Sequence, residues 1–148
     1  MSTIVEDLHE AASAIAAVAN EAGYAFDFTA RSLWDVERFI DDNAASGEPR
    51  PGGLLSKDLG SRVFALGAYV GEVIRAAIGG EWVADTAGDD WLPDVGLEAD
   101  LAVTLKTPDG LLWPNQQVMR RIMVGSTEGV ASYAAAVGVD PGPDPRAS

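Results

Sequence analysis

The sequence predicts an α+β fold: three helices, a small antiparallel sheet of about three strands, then two short helices. Three observations predict it. Apolar residues recur every three or four positions over the first 78 residues and again after Pro114, the spacing of amphipathic helices. Between them, Leu101, Val103 and Leu105 alternate with Ala102, Thr104 and Lys106, the period of a strand with one buried face. Helical and strand patterns are segregated along the chain, which favours α+β over a parallel α/β sheet. At 148 residues, 47% hydrophobic and without an internal repeat, the chain suits one domain over residues 1–139. Prolines alternating with small or charged residues predict a disordered tail over 140–148.

The elements follow in order. Thr3 and Glu6 have capping-box spacing, and Ile4, Leu8, Ala11, Ile15, Val18 and Ala22 make an apolar stripe that Gly23 stops. Thr29 is the expected N-cap of the second helix, with Phe28 and Leu33 at hydrophobic-staple positions. Its stripe is Leu33, Val36, Ile40 and Ala44, and Trp34 falls a quarter-turn away, partly exposed. "SGEPRPGG" (46–53) reads as a mobile surface loop. The third helix spans Lys57 to Ile78, with Leu59, Val63, Leu66, Val70, Val73 and Ala77 on one stripe and little strongly polar elsewhere. A helix apolar most of the way round is central to its domain.

Gly79-Gly80 ends that helix, and Glu81 to Asp85 reads as a short strand. Thr86 to Ala99 is a polar connection rich in turn residues. Thr107-Pro108-Asp109-Gly110 turns the 101–106 strand back into Leu111-Leu112-Trp113, which Pro114 stops. Asn115 is the expected cap of a helix bearing Val118, Met119, Ile122 and Met123. Gly125 ends it, and Ser126 begins the last helix, with Val130, Tyr133 and Val137.

Composition excludes several activities. The chain has no cysteine, which removes thiol catalysis, thiolate zinc sites and iron–sulfur clusters. Its net charge of −13 is carried by residues 1–100, with 19 acidic against 6 basic side chains, whereas residues 101–148 carry four of each. Nucleic-acid binding needs a basic face that is missing. No basic segment followed by an apolar one opens the chain, and no apolar run approaches the ~18–20 residues of a membrane span. The expectation is therefore a cytoplasmic protein that engages no membrane.

Motifs for chemistry are sparse. The single histidine gives one Glu6-x-x-His9, half of what a carboxylate-bridged di-metal bundle needs, so both are read as a solvated helix face. There is no Gly-x-Ser-x-Gly elbow, no phosphate loop and no dinucleotide fingerprint. Asp41-Asp42, Asp89-Asp90, and Glu98 near Asp100 are paired carboxylates on loops and helix ends, where solvation is the ordinary state. Asp85, Asp89, Asp90 and Asp94 lack the spacing of a calcium loop. No metal and no cofactor is expected.

The stretch "GAYVGEVIRAAIGGEW" (67–82) holds what remains. Gly67 and Gly71 share one strip of the third helix, and each costs about 1 kcal/mol relative to alanine there, so close packing must offset them. Glu72 and Arg75 are three apart and can pair. If covered, they would form a polar pocket beside Trp82, within reach of the helix bearing Arg120 and Arg121. A structural ion pair is the favoured reading.

At these residues the chain resembles a loose family of small bacterial domains of unknown function. The similarity runs from about Phe26 to Val124, with matching positions Gly67, Tyr69, Gly71, Glu72, Gly80, Trp82, Pro114 and Arg120. The resemblance implies the fold and assigns no reaction. Asn115-Gln116-Gln117 departs from it, where a lysine-rich or aliphatic helix start is the pattern.

Two functional readings follow. The first is a non-enzymatic protein-interaction module, an adaptor or immunity-type inhibitor, with an acidic surface, a basic partner protein and Trp34, Trp91 and Trp113 as anchors. The alternative is a small-molecule binder or weak hydrolase with its pocket at Glu72, Arg75, Trp82 and Arg120. A homodimer through Gly67 and Gly71 is a third.

Overall fold

The computed structural model describes residues 4–84, 103–108 and 110–145. Its elements are α1 (Ile4–Glu21), a 3₁₀ turn (Ala30–Ser32), α2 (Leu33–Asn43), β1 (Ala44–Ala45), β2 (Glu48–Pro49), α3 (Leu59–Ile78), β3 (Glu81–Ala84), β4 (Val103–Thr107), β5 (Gly110–Leu112), α4 (Pro114–Val124), a second 3₁₀ turn (Ser126–Glu128) and α5 (Val130–Ala136). The architecture is α+β. The expected connection over residues 86–99, with Asp89, Asp90, Asp94 and Glu98, lies outside the described residues, as do Asp85, Trp91 and Asp100.

α3 is the centre. Residues 65–71 are buried without interruption, followed by Val73 and Ile74, so every face of its middle turns is covered. α1 packs along one side, α4 along another, and the sheet closes near its C-terminal end. Burying side chains such as Leu66, Val70 and Ile74 contributes about 1.5–3 kcal/mol each, enough to keep a largely apolar helix inside. The α1 stripe that meets it is Leu8, Ala12, Ile15, Ala16 and Ala19, turned slightly from the expected one, so that Ala22 is exposed. α1 ends in a Schellman motif: Gly23 at φ 98° places its own N–H on Asn20 O and the Tyr24 N–H on Ala19 O.

β3, β4 and β5 form an antiparallel sheet in that order, with Trp82 opposite Leu105 and Leu105 opposite Leu112. Trp82, Val103, Leu105 and Thr107 are buried on one face, and Glu81, Lys106 and Leu111 are exposed on the other.

Several expectations need correction. Residues 46–53 contain the return of a tight hairpin, β1–β2, whose Ser46-Gly47 turn has φ 55° and 81°. Asn43 then organises the loop, its side-chain N–H donating to Phe39 O and its Oδ1 accepting from the Leu54 N–H. Asn115 is not a cap: Pro114 takes the first helical position, where its missing N–H costs nothing, and Asn115 is buried inside α4. The last helix begins at Val130 rather than Ser126. Phe28 packs its ring, tilted, on Tyr69 at 4.7 Å. The segment from Asp140, expected to be disordered, begins docked: Pro141 is buried, and the Trp34 indole N–H donates to Pro141 O (3.0 Å) and Gly142 O (3.1 Å).

Candidate functional site

The spaces beside Gly67 and Gly71 of α3 are filled from within the chain, by different neighbours. A Cβ at Gly67 would fall 2.5 Å from Asn115 Cα, so its absence lets the first turn of α4 press against α3. A Cβ at Gly71 would overlap Cη2 and Cζ2 of Trp82, so that position seats the six-membered ring of the β3 indole. The strip is closed to a second copy of the chain.

Glu72 follows directly and is 10% exposed, while Arg75, one turn on, is 39% exposed. Arg75 Nη1 donates to Glu72 Oε2 at 3.1 Å, and its Nε donates to Gly80 O at 3.1 Å, fastening the helix end to the Gly79-Gly80 turn. His9 of α1 sets Nδ1 against Glu72 Oε1. Among the described residues Glu72 Oε1 is buried and has no hydrogen-bond partner. Trp82 Nε1 is likewise buried, without a hydrogen-bond partner among the described residues. Arg120 stands half-buried on α4. The geometry thus brings Glu72, Arg75 and His9 together, with Trp82 beside them. Five clefts among the described residues, of about 260 to 440 Å³, have other side chains in their walls.

The strongest charge cluster lies elsewhere. Arg121 of α4 donates through Nε to Glu37 Oε1 (2.9 Å) and through Nη2 to Asp41 Oδ1 (2.5 Å), both on α2. Arg121 is 4% exposed, Asp41 43%. Glu37 Oε1 also accepts the Val130 N–H at 3.3 Å, and so supplies the negative charge that the N-terminus of α5 favours. Three helices meet at these side chains. Sequence reading missed them as a group, although one sign was present. Glu37 stands between Val36 and Ile40 on the buried stripe of α2, and Arg121 beside Ile122 on that of α4. A charge on an apolar stripe demands a partner.

An aromatic cluster holds the α1–α2 connection. Tyr69 of α3 lies 4.7 Å from both Phe26 and Phe28, and Tyr24 packs on Phe39 at 5.2 Å. The Tyr69 hydroxyl accepts the Phe28 N–H (2.9 Å) and shares a hydrogen with Ser32 Oγ (2.6 Å), and burial pushes its pKa up. These bonds hold Phe28 at φ 63°, a left-handed conformation that a bulky side chain rarely adopts. Asp27 accepts from the Thr29 hydroxyl at 2.6 Å, and that hydrogen bond holds its carboxyl below the usual range. Thr29 in turn accepts the Ser32 N–H, capping the 3₁₀ turn. The carboxylates of this region therefore hold backbone and hydroxyl groups in place.

Of the expected aromatic anchors, Trp34 is half-buried with its N–H on the 141–142 carbonyls. Trp113 is half-buried, and its backbone N–H donates to the Tyr133 hydroxyl at 3.0 Å. The large apolar side chains most open to solvent are Phe28, Leu111, Met123 and Val124. Among the described residues no group of three histidine or carboxylate side chains is placed to hold a metal ion, and no helix is long and apolar enough to cross a membrane. Comparison with protein-family models, with curated proteins and with solved structures finds no match to this chain.

Proposed function

We propose that the chain is a non-enzymatic protein-interaction module, an adaptor or immunity-type inhibitor, whose acidic surface meets a basic partner protein. The observation that carries this reading is how its charges are divided. The buried charges are matched, Glu37 with Arg121 and Glu72 with the half-exposed Arg75, and Asp41 adds a second bond to Arg121 from the surface, in roles that brace helices. Outside, α1 presents Glu6, Asp7, Glu10 and Glu21 with no lysine or arginine along its length. Asp42, Glu48, Asp58 and Glu81 extend the exposed acid, whereas Arg31, Arg50, Lys57 and Lys106 are the exposed bases among the described residues. Such a surface speeds encounter with a basic protein and rejects acidic ones.

The test is affinity retention from the protein's own cell extract, in parallel with a triple variant carrying Glu6→Lys, Asp7→Lys and Glu10→Lys. The expected result is one basic protein held at about 0.1 M salt and released at about 1 M, where the screening length shrinks from about 10 Å to about 3 Å. The variant should hold less of it. No protein retained at the lower salt removes the reading.

One observation favours the alternative of a small-molecule site: the buried Trp82 Nε1 without a partner, beside the Glu72–Arg75 pair. A ligand there would change the fluorescence of Trp82. A metabolite set that leaves the emission of a variant retaining Trp82 as its one tryptophan unchanged disposes of that alternative.

A further inference from the structure

The chain beyond α5 folds back onto α2 as a strap. Gly138, at φ 96°, ends the helix, with its N–H on Ala135 O and the Val139 N–H on Ala134 O. Val139 is 2% exposed, so the strap leaves from a fixed point in the core. Asp140, Pro141, Gly142 and Pro143 then make a turn. Proline and, at φ 73°, glycine are what its two middle positions ask for. Pro143 in the fourth place has no N–H with which to close the turn through the backbone. Asp140 Oδ1 closes it instead, accepting the Gly142 N–H at 2.8 Å.

The turn sets two carbonyls side by side, and one donor meets both. The Trp34 indole N–H donates to Pro141 O at 3.0 Å and to Gly142 O at 3.1 Å. Pro141 is buried and Trp34 half-buried, while Asp140, Pro143 and Pro145 stay exposed. Trp34 stands off the buried Leu33, Val36 and Ile40 stripe of α2, and the strap covers the edge of the indole that carries its N–H. What the indole recognises there is two main-chain carbonyls beside a buried proline. Any chain with the same turn offers them.

We infer that Trp34 is the seat for an Asp-Pro-Gly turn of the partner protein, and that residues 140–142 occupy this seat until the partner displaces them. The inference rests on the interaction-module reading and names the anchor, the chemistry it holds and what keeps it covered in the free protein. Tryptophan joins a large apolar face to a single donor, which is why it concentrates at the centres of interfaces. The strap is tethered one residue before the turn, so it competes at an effective concentration of the order of millimolar. An isolated turn on an unrelated protein loses to it. A partner whose turn arrives together with contacts to the acidic surface prevails, so the strap acts as a filter for the right partner.

The test uses the full chain, isotope-labelled for NMR, and follows the indole N–H resonance of Trp34, identified by its loss in Trp34→Phe. Two capped peptides are titrated: valine-aspartate-proline-glycine-proline-aspartate, and the same peptide with alanine-alanine in place of proline-glycine. Gly142→Ala loosens the strap, since alanine at a left-handed φ lowers the closed population about tenfold. In this variant the proline-glycine peptide should move the resonance and saturate at about one-tenth of the concentration that wild type needs, because the seat is open more often. The alanine peptide, not preorganised as a turn, should bind about tenfold more weakly. Asp140→Ala, which removes the acceptor that closes the turn, is the second loosened variant. No saturable shift in either variant up to ~10 mM peptide, well above the strap's own effective concentration, overturns the assignment. So does equal affinity for the two peptides, or equal affinity in wild type and both variants. A loosened variant that becomes dimeric at the assay concentration gives the seat to the strap of a second copy and overturns the partner. The same proteins separate the seat from the broader reading. A partner protein retained equally by wild type, Gly142→Ala and Trp34→Phe removes the seat and keeps the module, whereas saturable peptide binding with no protein retained keeps the seat and removes the module.

Discussion

Replacing Gly67 by alanine measures how closely α4 approaches α3. The added Cβ would fall 2.5 Å from Asn115 Cα and 2.6 Å from its Cγ. Carbon atoms in contact rest about 3.5–4.0 Å apart, so the two helices must separate by about 1 Å to admit one methyl group. The obstacle includes backbone, which no rotamer change removes. α4 is also held at both ends: the Trp113 N–H before it is fixed by Tyr133, and Arg121 in its last turn is bonded to Glu37 and Asp41. Overpacking costs about 1–3 kcal/mol, and a helix anchored in this way belongs at the upper end. Against this stands the ~1 kcal/mol by which alanine exceeds glycine in a helix interior. The net expectation is a loss of about 2 kcal/mol, read as a lower urea midpoint at unchanged slope. The melting temperature should fall by about 4–8 °C for a chain of this size. Ala77→Gly, at an exposed position of the same helix, isolates the propensity effect and should cost about 1 kcal/mol. A Gly67→Ala protein more stable than wild type by that amount would mean that the methyl met open space, and the close approach would be refuted.

Three further outcomes follow from the same contacts. Glu37→Gln and Arg121→Met should each cost about 3–5 kcal/mol in urea unfolding, since either leaves a buried charge poorly compensated, while Glu37→Leu combined with Arg121→Met should recover much of that loss. Trp34→Phe removes the donor to the Pro141 and Gly142 carbonyls and should cost about 1 kcal/mol, with faster thermolysin cleavage near Val139. Tyr24 is pushed up to about 12, first by burial and then by its hydrogen bond to Asp42 and the charge of that carboxylate. An unfolded tyrosine loses its proton near pH 10, so between about 10 and 12 the unfolded state binds fewer protons than the folded one and stability falls as pH rises. Tyr24→Phe should flatten part of that decline in unfolding curves at pH 9, 10 and 11, the rest belonging to Tyr69, whose shift has the same sign.

The helices were legible because their signals are local. α3 declares itself through Val63, Leu66, Val70 and Val73, and the need for close packing through Gly67 and Gly71. What fills those spaces was not legible, because an absent side chain does not say whether a helix backbone or an indole will occupy its place. The β1–β2 hairpin escaped notice because strands of two residues, Ala-Ala and Glu-Pro, carry no period, and a Ser46 at φ 55° is an unusual choice for its turn. Glu37 and Arg121 are 84 positions apart, and the pairing of two charges across that separation has no sequence signature. Each does break an apolar stripe on its own helix, which marks both as charges in need of a partner. The α+β order itself followed from the segregation of the two periods, which no tertiary contact had to supply.

The contrast between the two ion-pair groups carries the functional argument. At Glu72 one oxygen takes Arg75, whose side chain still reaches water, so that pair contributes little, under about 1 kcal/mol. At Glu37, Asp41 and Arg121 the guanidinium is sealed, and three helices depend on it.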